Sequence, residues 1–254
     1  MSLRIIQISD LHLFTDAAAE LKGIVTRNCL AAVLRHIEVR HPLVHWLVVT
    51  GDLAHDEQRA TYDVVRSMFG RWLPQLRVVP GNHDNRSAMR AVLPECLRAH
   101  GERNVFIERQ SGWRIIGLDS HVPGELAGSL GPEQRNWLAR VLAEAPDEPA
   151  CLFVHHPPVP VNSPWLDGIG LSDAAELWAV LEAYPCVRLI GCGHVHQERS
   201  HVTRQCAVVT TPATGVQFRP ETASLEVDAA GPGFRIIDLL PRGEVQTYVE
   251  RVSS

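Results

Sequence analysis

A chain of 254 residues, 45% hydrophobic and 21% charged, is long enough for one large domain with a full core, which excludes disorder and miniature scaffolds. Its formal net charge of -5 offers no electrostatic footprint for nucleic acid or an anionic membrane. No run approaches the roughly 18 uncharged apolar residues of a membrane-spanning helix, and Met1 leads straight into Leu3-Arg4-Ile5-Ile6 without a signal-peptide core, so the cytoplasm is the expected compartment.

Taken in chain order, residues 3–8 and 44–49 are short apolar runs that read as strands, and between them Leu30, Val33, Leu34 and Ile37 recur at helical spacing. Tyr62, Val65, Phe69 and Trp72 repeat the pattern before a third strand at 76–79. Strands follow at 115–118, 151–154 and 187–190; Gly131-Pro132 opens a helix through Trp137, Leu138 and Val141, and Asp173 is the expected N-cap of another reaching Leu181. Strands alternating with helices give an α/β fold. After residue 200 the helical pattern stops, and 207–209, 224–227, 234–239 and 245–249 read as strands, which predicts a second sheet packed on the first within a single domain spanning 1–254. The six cysteines form no CxxC pair and read as buried free thiols.

Five polar clusters stand where strands end: Asp10-Leu11-His12, Gly51-Asp52, Gly81-Asn82-His83-Asp84, His155-His156-Pro157 and Gly193-His194-Val195-His196. Ligands bind at the carboxyl ends of strands in open α/β sheets, so five separate stretches can meet at one point. Asp, Asn and His without a thiolate form an oxygen and nitrogen set suited to Fe, Mn, Zn, Co or Ni. Alternate residues of an extended segment face one side, so Asp10 with His12, and His194 with His196, can each grip one ion or two adjacent ones. Seven candidates (Asp10, His12, Asp52, Asn82, His155, His194, His196) exceed one ion's needs and fit two if a carboxylate bridges, the ions of such sites lying about 3.5–4 Å apart. Singly, Gly51-Asp52 reads as a turn; all five in order do not. His36, His41, His45, His55, His100, His121 and His201 read as surface or partly buried residues outside the chemistry.

The five clusters resemble the signature of the calcineurin-like metallophosphoesterases: Asp-x-His, Gly-Asp, Gly-Asn-His-Asp/Glu, a His before Pro, and Gly-His-x-His. Within them the sequence is similar to the bacterial class III cyclic-nucleotide phosphodiesterases, through residues 10–14, 50–54, 118–120, 165–167 and 211–218. The resemblance implies a four-layer α/β/β/α sandwich with two mixed β-sheets. It also implies Asp10, His12 and His196 on one metal and Asn82, His155 and His194 on the other, with Asp52 bridging; His156 stays a near-site candidate. The cofactors would be two divalent transition ions, Fe or Mn before Zn, Co or Ni.

The activity so implied is hydrolysis of 3′,5′-cyclic AMP to 5′-AMP, by in-line attack of a hydroxide held between the ions. Asn82, His83 and His196 would contact the substrate, and His83 would protonate the leaving oxygen with Asp84 favouring its charged form. Phe14, residues 165–167 and residues 214–218 would form the specificity rim. A broader phosphodiesterase for glycerophosphodiesters or other cyclic nucleotides shares the same metal core. A nuclease lacks its basic surplus and aromatic platform, and a metal-free interaction scaffold should have lost a ligand. The partner is thus a small phosphodiester, with neither nucleic acid nor membrane; monomer and homodimer are both open.

Overall fold

Strands such as Trp46–Thr50 and Ala150–Val154 are near-continuous apolar runs without alternation because both of their faces become buried. The computed structural model describes residues 2–253. In chain order its first half runs β1 (Leu3–Ile8), α1 (Thr26–Arg40), β2 (Trp46–Thr50), α2 (Arg59–Phe69), β3 (Leu76–Val79), α3 (Arg86–Val92), β4 (Arg98–His100), β5 (Arg103–Gln110) and β6 (Trp113–Leu118). Then come α4 (Gly131–Ala143), β7 (Ala150–Val154), α5 (Pro164–Asp167), α6 (Ala174–Leu181) and β8 (Val187–Cys192). The last part adds β9 (Arg199–Val202), β10 (Ala207–Thr210), β11 (Gln217–Phe218), β12 (Val227–Asp228), β13 (Gly233–Leu239) and β14 (Val245–Arg251).

One sheet has the order β14-β13-β1-β2-β3 and the other β4-β5-β6-β7-β8-β10-β9. Both are mixed: β1, β2 and β3 run parallel with β13 antiparallel on the other edge of β1, while β6, β7, β8 and β10 run parallel between antiparallel edges. Three apolar layers separate four structural ones. Ile5, Val48 and Val79 meet Phe106, Phe153 and Leu189 between the sheets. Leu30, Val33, Ile37, Tyr62 and Phe69 seal the helices onto the first sheet, and Leu138 and Leu177 cover Leu152 and Ile190 on the second. This is the expected α/β/β/α sandwich.

Three sequence expectations are corrected, and three strands are added. The late strands do not make a sheet of their own: β10 extends the second sheet and β13 and β14 the first, because each parallel core still has an open edge when the helices end. Of 224–227 only Val227 enters a strand, in a two-stranded ribbon of β11 and β12. Strands β4 and β9, at the sheet's two ends, carry no apolar signal, and β5 carries only the short run Val105-Phe106-Ile107, which the sequence reading leaves unassigned. Asp173 precedes α6 without capping it; its carboxylate instead accepts the backbone N–H groups of Leu130 and Gly131 at 3.0 and 2.9 Å and pairs with Arg135. The donors at the start of α4 are otherwise unsatisfied, which explains the preference.

Candidate metal centre

The polar clusters follow β1, β2, β3, β7 and β8, and the parallel direction of these strands delivers them to one rim of the sandwich. A polar hub ties the sheets together directly beneath it. The Gln7 amide donates to Thr50 Oγ1 and to the Cys192 carbonyl, both at 3.0 Å, and the Ser9 hydroxyl reaches the Thr50 carbonyl at 3.2 Å. The approach is so close that a Cβ on Gly193 would run into Ser9 Oγ and the Thr50 carbonyl, so only glycine fits there.

Asp10, His12, Asp52, His194 and His196 all have left-handed backbones, with φ of 55°, 43°, 53°, 69° and 51°. Non-glycine residues hold such angles at a cost of order 1–3 kcal/mol each, and they gather at functional sites. The expectation that Asp-x-His and His-x-His lie on extended segments is therefore corrected. Their side chains converge because the chain turns sharply at each ligand.

All seven candidates meet, in two overlapping groups. In the first, His196 Nε2 lies 3.2 Å from His12 Nε2 and 3.4 Å from Asp10 Oδ1. In the second, Asn82 Oδ1 lies 3.1 Å from both His155 Nε2 and His194 Nδ1. Asp52 belongs to both, since its Oδ2 is 3.5 Å from His12 Nε2 and 3.5 Å from His155 Nε2, while its Oδ1 is occupied by the His83 backbone N–H at 2.9 Å.

Tautomers test whether these atoms suit a cation. His155 Nδ1 donates to the Thr50 carbonyl at 2.7 Å, and His196 Nδ1 to the Val216 carbonyl at 2.7 Å. Each neutral ring then presents a lone pair at Nε2. Lone pairs and carboxylate oxygens therefore converge on one another, an arrangement that repels itself unless positive charge sits between. Burial pushes His12 and His194 well below the usual imidazole range, keeping them neutral as ligands must be. Burial opposes charge on Asp10 and Asp52 too, but His196 beside the first and His155 beside the second hold both carboxyls below their ordinary value. His196 alone goes up; burial disfavours its charge and adjacent Asp10 outweighs it. The residues fit a pair of metal ions.

His83 and Asp84 divide differently from expectation. The Asp84 side chain is turned into the protein, accepting the N–H groups of Leu53, Ala54 and Gly81 at 3.1, 3.2 and 2.9 Å and the Tyr62 hydroxyl at 2.9 Å. It braces the loop that carries Asp52 and makes no hydrogen bond to the His83 ring; burial, with Asp52 near, pushes its pKa up to about 7. The neighbour of His83 is instead His55, stacked at 4.7 Å between centroids and 22° between planes. His55 Nδ1 also lies 3.1 Å from His12 Nδ1. Sequence reasoning set His55 aside, and only its place three residues after Asp52 could have singled it out. Both nitrogens of His156 are taken, Nδ1 by the Ser120 hydroxyl at 2.7 Å and Nε2 by the Leu126 carbonyl at 3.0 Å, which leaves none for an ion.

Above the ligands opens a cavity of about 220 Å³ that His55, Asn82 and His83 share with Lys22, Trp165, Ile169, Phe218 and Leu225. Phe218 lies flat on His196, 4.1 Å between centroids and 13° between planes, with Trp165 edge-on to it at 5.3 Å. Of the expected rim, Trp165, Leu166, Val216 and Phe218 line this space. Phe14 packs against His55, Asp167 accepts the Val161 N–H, and Thr214 donates its backbone N–H to the Ser9 carbonyl. These three are supports.

Residues 3–198 match the family model described as calcineurin-like phosphoesterase. The 3′,5′-cyclic adenosine monophosphate phosphodiesterase CpdA of Escherichia coli K12 is 37% identical over 251 residues, covering 99% of this chain and 90% of that protein. A protein of the same printed name from Vibrio vulnificus is 34% identical, covering 100% and 91%. Among solved structures, a dimetal phosphatase from Danio rerio superposes with a TM-score of 0.67 at 16% identity, over 96% of this chain and 98% of that one; it supports the fold alone.

Proposed function

The chain belongs to the calcineurin-like phosphoesterase family, an enzyme family whose centre takes two metal ions, and from that premise we propose that it hydrolyses 3′,5′-cyclic AMP to 5′-AMP. The observation that carries the reading is Asp52 Oδ2, equidistant at 3.5 Å from a nitrogen of each ligand group. Asp10, His12 and His196 would hold one ion, Asn82, His155 and His194 the other, and Asp52 would bridge. Oxygen and nitrogen ligands without sulfur suit Fe, Mn, Zn, Co or Ni, and the family resemblance puts Fe or Mn first. Two divalent ions, when bound, supply Lewis acidity towards a phosphoryl oxygen and a nucleophile at neutral pH.

The protein's part is to orient and to move one proton. The His83 backbone N–H fixes Asp52 Oδ1 and so aims Oδ2 at the ligand nitrogens. Its ring lies in the cavity beside Asn82, placed to protonate the departing 3′ oxygen at its imidazole nitrogen. His55, stacked on one face of His83, keeps that ring in position. The Asn82 side-chain N–H group contacts the phosphate; His196, expected to share that contact, has Nδ1 on the Val216 carbonyl and Nε2 turned to the ion, and Phe218 locks its plane. The apolar wall of Trp165, Ile169, Phe218 and Leu225 receives the base, since flat apolar and aromatic surfaces bind a purine without charge. Six unpaired cysteines support the cytoplasm as its compartment.

The full-length relatives named for cyclic AMP support this substrate over an open diester. A panel of cyclic nucleotides and glycerophosphodiesters compared by kcat/KM, with metal supplied, is the test. Cyclic AMP should lead and yield 5′-AMP with no 3′-AMP. Faster turnover of a glycerophosphodiester would overturn the substrate and leave the two-ion phosphodiesterase standing.

A further inference from the structure

A second convergence of metal-binding side chains shares no residue with this centre. His36 lies on α1, His41 is the residue at that helix's C-terminal cap, and Glu250 lies on the edge strand β14. His36 Nε2 and His41 Nε2 both point at one oxygen, Glu250 Oε2, at 2.9 and 3.0 Å. Phe234 on the adjacent strand packs edge-on against both rings, 5.7 and 5.8 Å between centroids, and holds them in this orientation.

From this we infer that His36, His41 and Glu250 form a third, mononuclear site for a divalent ion of the zinc class, clamping the end of α1 to the edge of the first sheet. Two imidazole nitrogens and one carboxylate oxygen are the donor types that such an ion takes, with water in the fourth position. Bond lengths of about 2.0–2.1 Å in a tetrahedral site put neighbouring ligand atoms roughly 3.3 Å apart, so the observed 2.9 and 3.0 Å need to open by only a few tenths of an ångström. The surroundings agree in charge and access. The C-terminal end of a 15-residue helix carries partial negative charge that favours a cation. His41 is 6% exposed while His36 and Glu250 are 30% and 27% exposed, so one wall is fixed and the other open to entry and to the water ligand. Such an ion would join residues far apart in the chain at a strand that has a neighbour on one side only, and its binding energy would add to the stability of that edge.

The test uses the enzyme with its catalytic centre loaded with Mn²⁺ and then exposed to Zn²⁺. Wild type should retain one more zinc ion per chain than His36→Gln or Glu250→Gln after gel filtration, and its Tm should rise with zinc where theirs does not. Both variants should keep cyclic-nucleotide hydrolysis within about twofold when no zinc is added, which also shows that they fold. Zinc-soaked wild-type crystals give a reading independent of any variant: an anomalous peak between the three side chains is expected. Equal zinc uptake by wild type and variants, or no peak there, would reduce the trio to a hydrogen-bonded clasp and overturn the site.

Discussion

His83 touches the centre through its backbone and the cavity through its ring, so metal binding and proton transfer are separable at this residue. His83→Ala should keep its ions and lose activity by roughly 10² to 10⁴. The loss should shrink with a nitrophenyl diester, whose leaving group departs without a proton; an equal loss on both kinds of substrate would make His83 a positioning residue only. At this scale the sequence was most legible for ligands and least for their supports. Asp, Asn and His after glycine or at a strand's end announce themselves by type, and all seven converge. Asp84 looked like a partner of His83 because it adjoins it, yet three buried N–H groups compete for its carboxylate and win. His55 stands in the Asp52 loop, which runs beside the Asp10–His12 loop through the Leu13–Ala54 bridge, a pairing no local pattern announces.

Elements built on apolar periodicity, α1, α2 and α4 among them, were legible because each covers one sheet face with residues three and four apart. Elements at the margins were not, since β4, β5 and β9 owe their conformation to pairing with a neighbour. Asp173 illustrates the same limit at a helix end. It stands in the capping position of α6 and serves α4, through the N–H groups of Leu130 and Gly131 and the side chain of Arg135. Asp173→Ala should therefore destabilise the protein by about 0.5–2 kcal/mol, the range of a lost helix cap, without changing metal content. Urea denaturation followed by metal analysis checks both halves; a lowered metal content would mean that α4 and the centre are coupled more directly than the hydrogen bonds indicate.

Over the whole molecule, the two sheets are wired so that neither owns the centre. Asp10, Asp52 and Asn82 follow strands of the first sheet, and His155, His194 and His196 follow strands of the second. Beneath them the sheets are joined by Gln7, which donates to the Cys192 carbonyl, and by Thr50, whose carbonyl accepts from His155. Sandwich formation and site formation are thus one event, which accounts for left-handed backbone at five ligands being tolerated. Asp52 is the residue where both ligand groups meet, and the ion count per chain in its absence tests the bridged centre most directly. Metal analysis of wild type, Asp10→Ala and Asp52→Ala loaded side by side should find one ion fewer in Asp10→Ala and two fewer in Asp52→Ala. An Asp52→Ala protein that keeps the wild-type ion count would contradict the bridge, and a wild type that loads only one ion at this centre would contradict the two-ion centre on which the proposed hydrolysis rests.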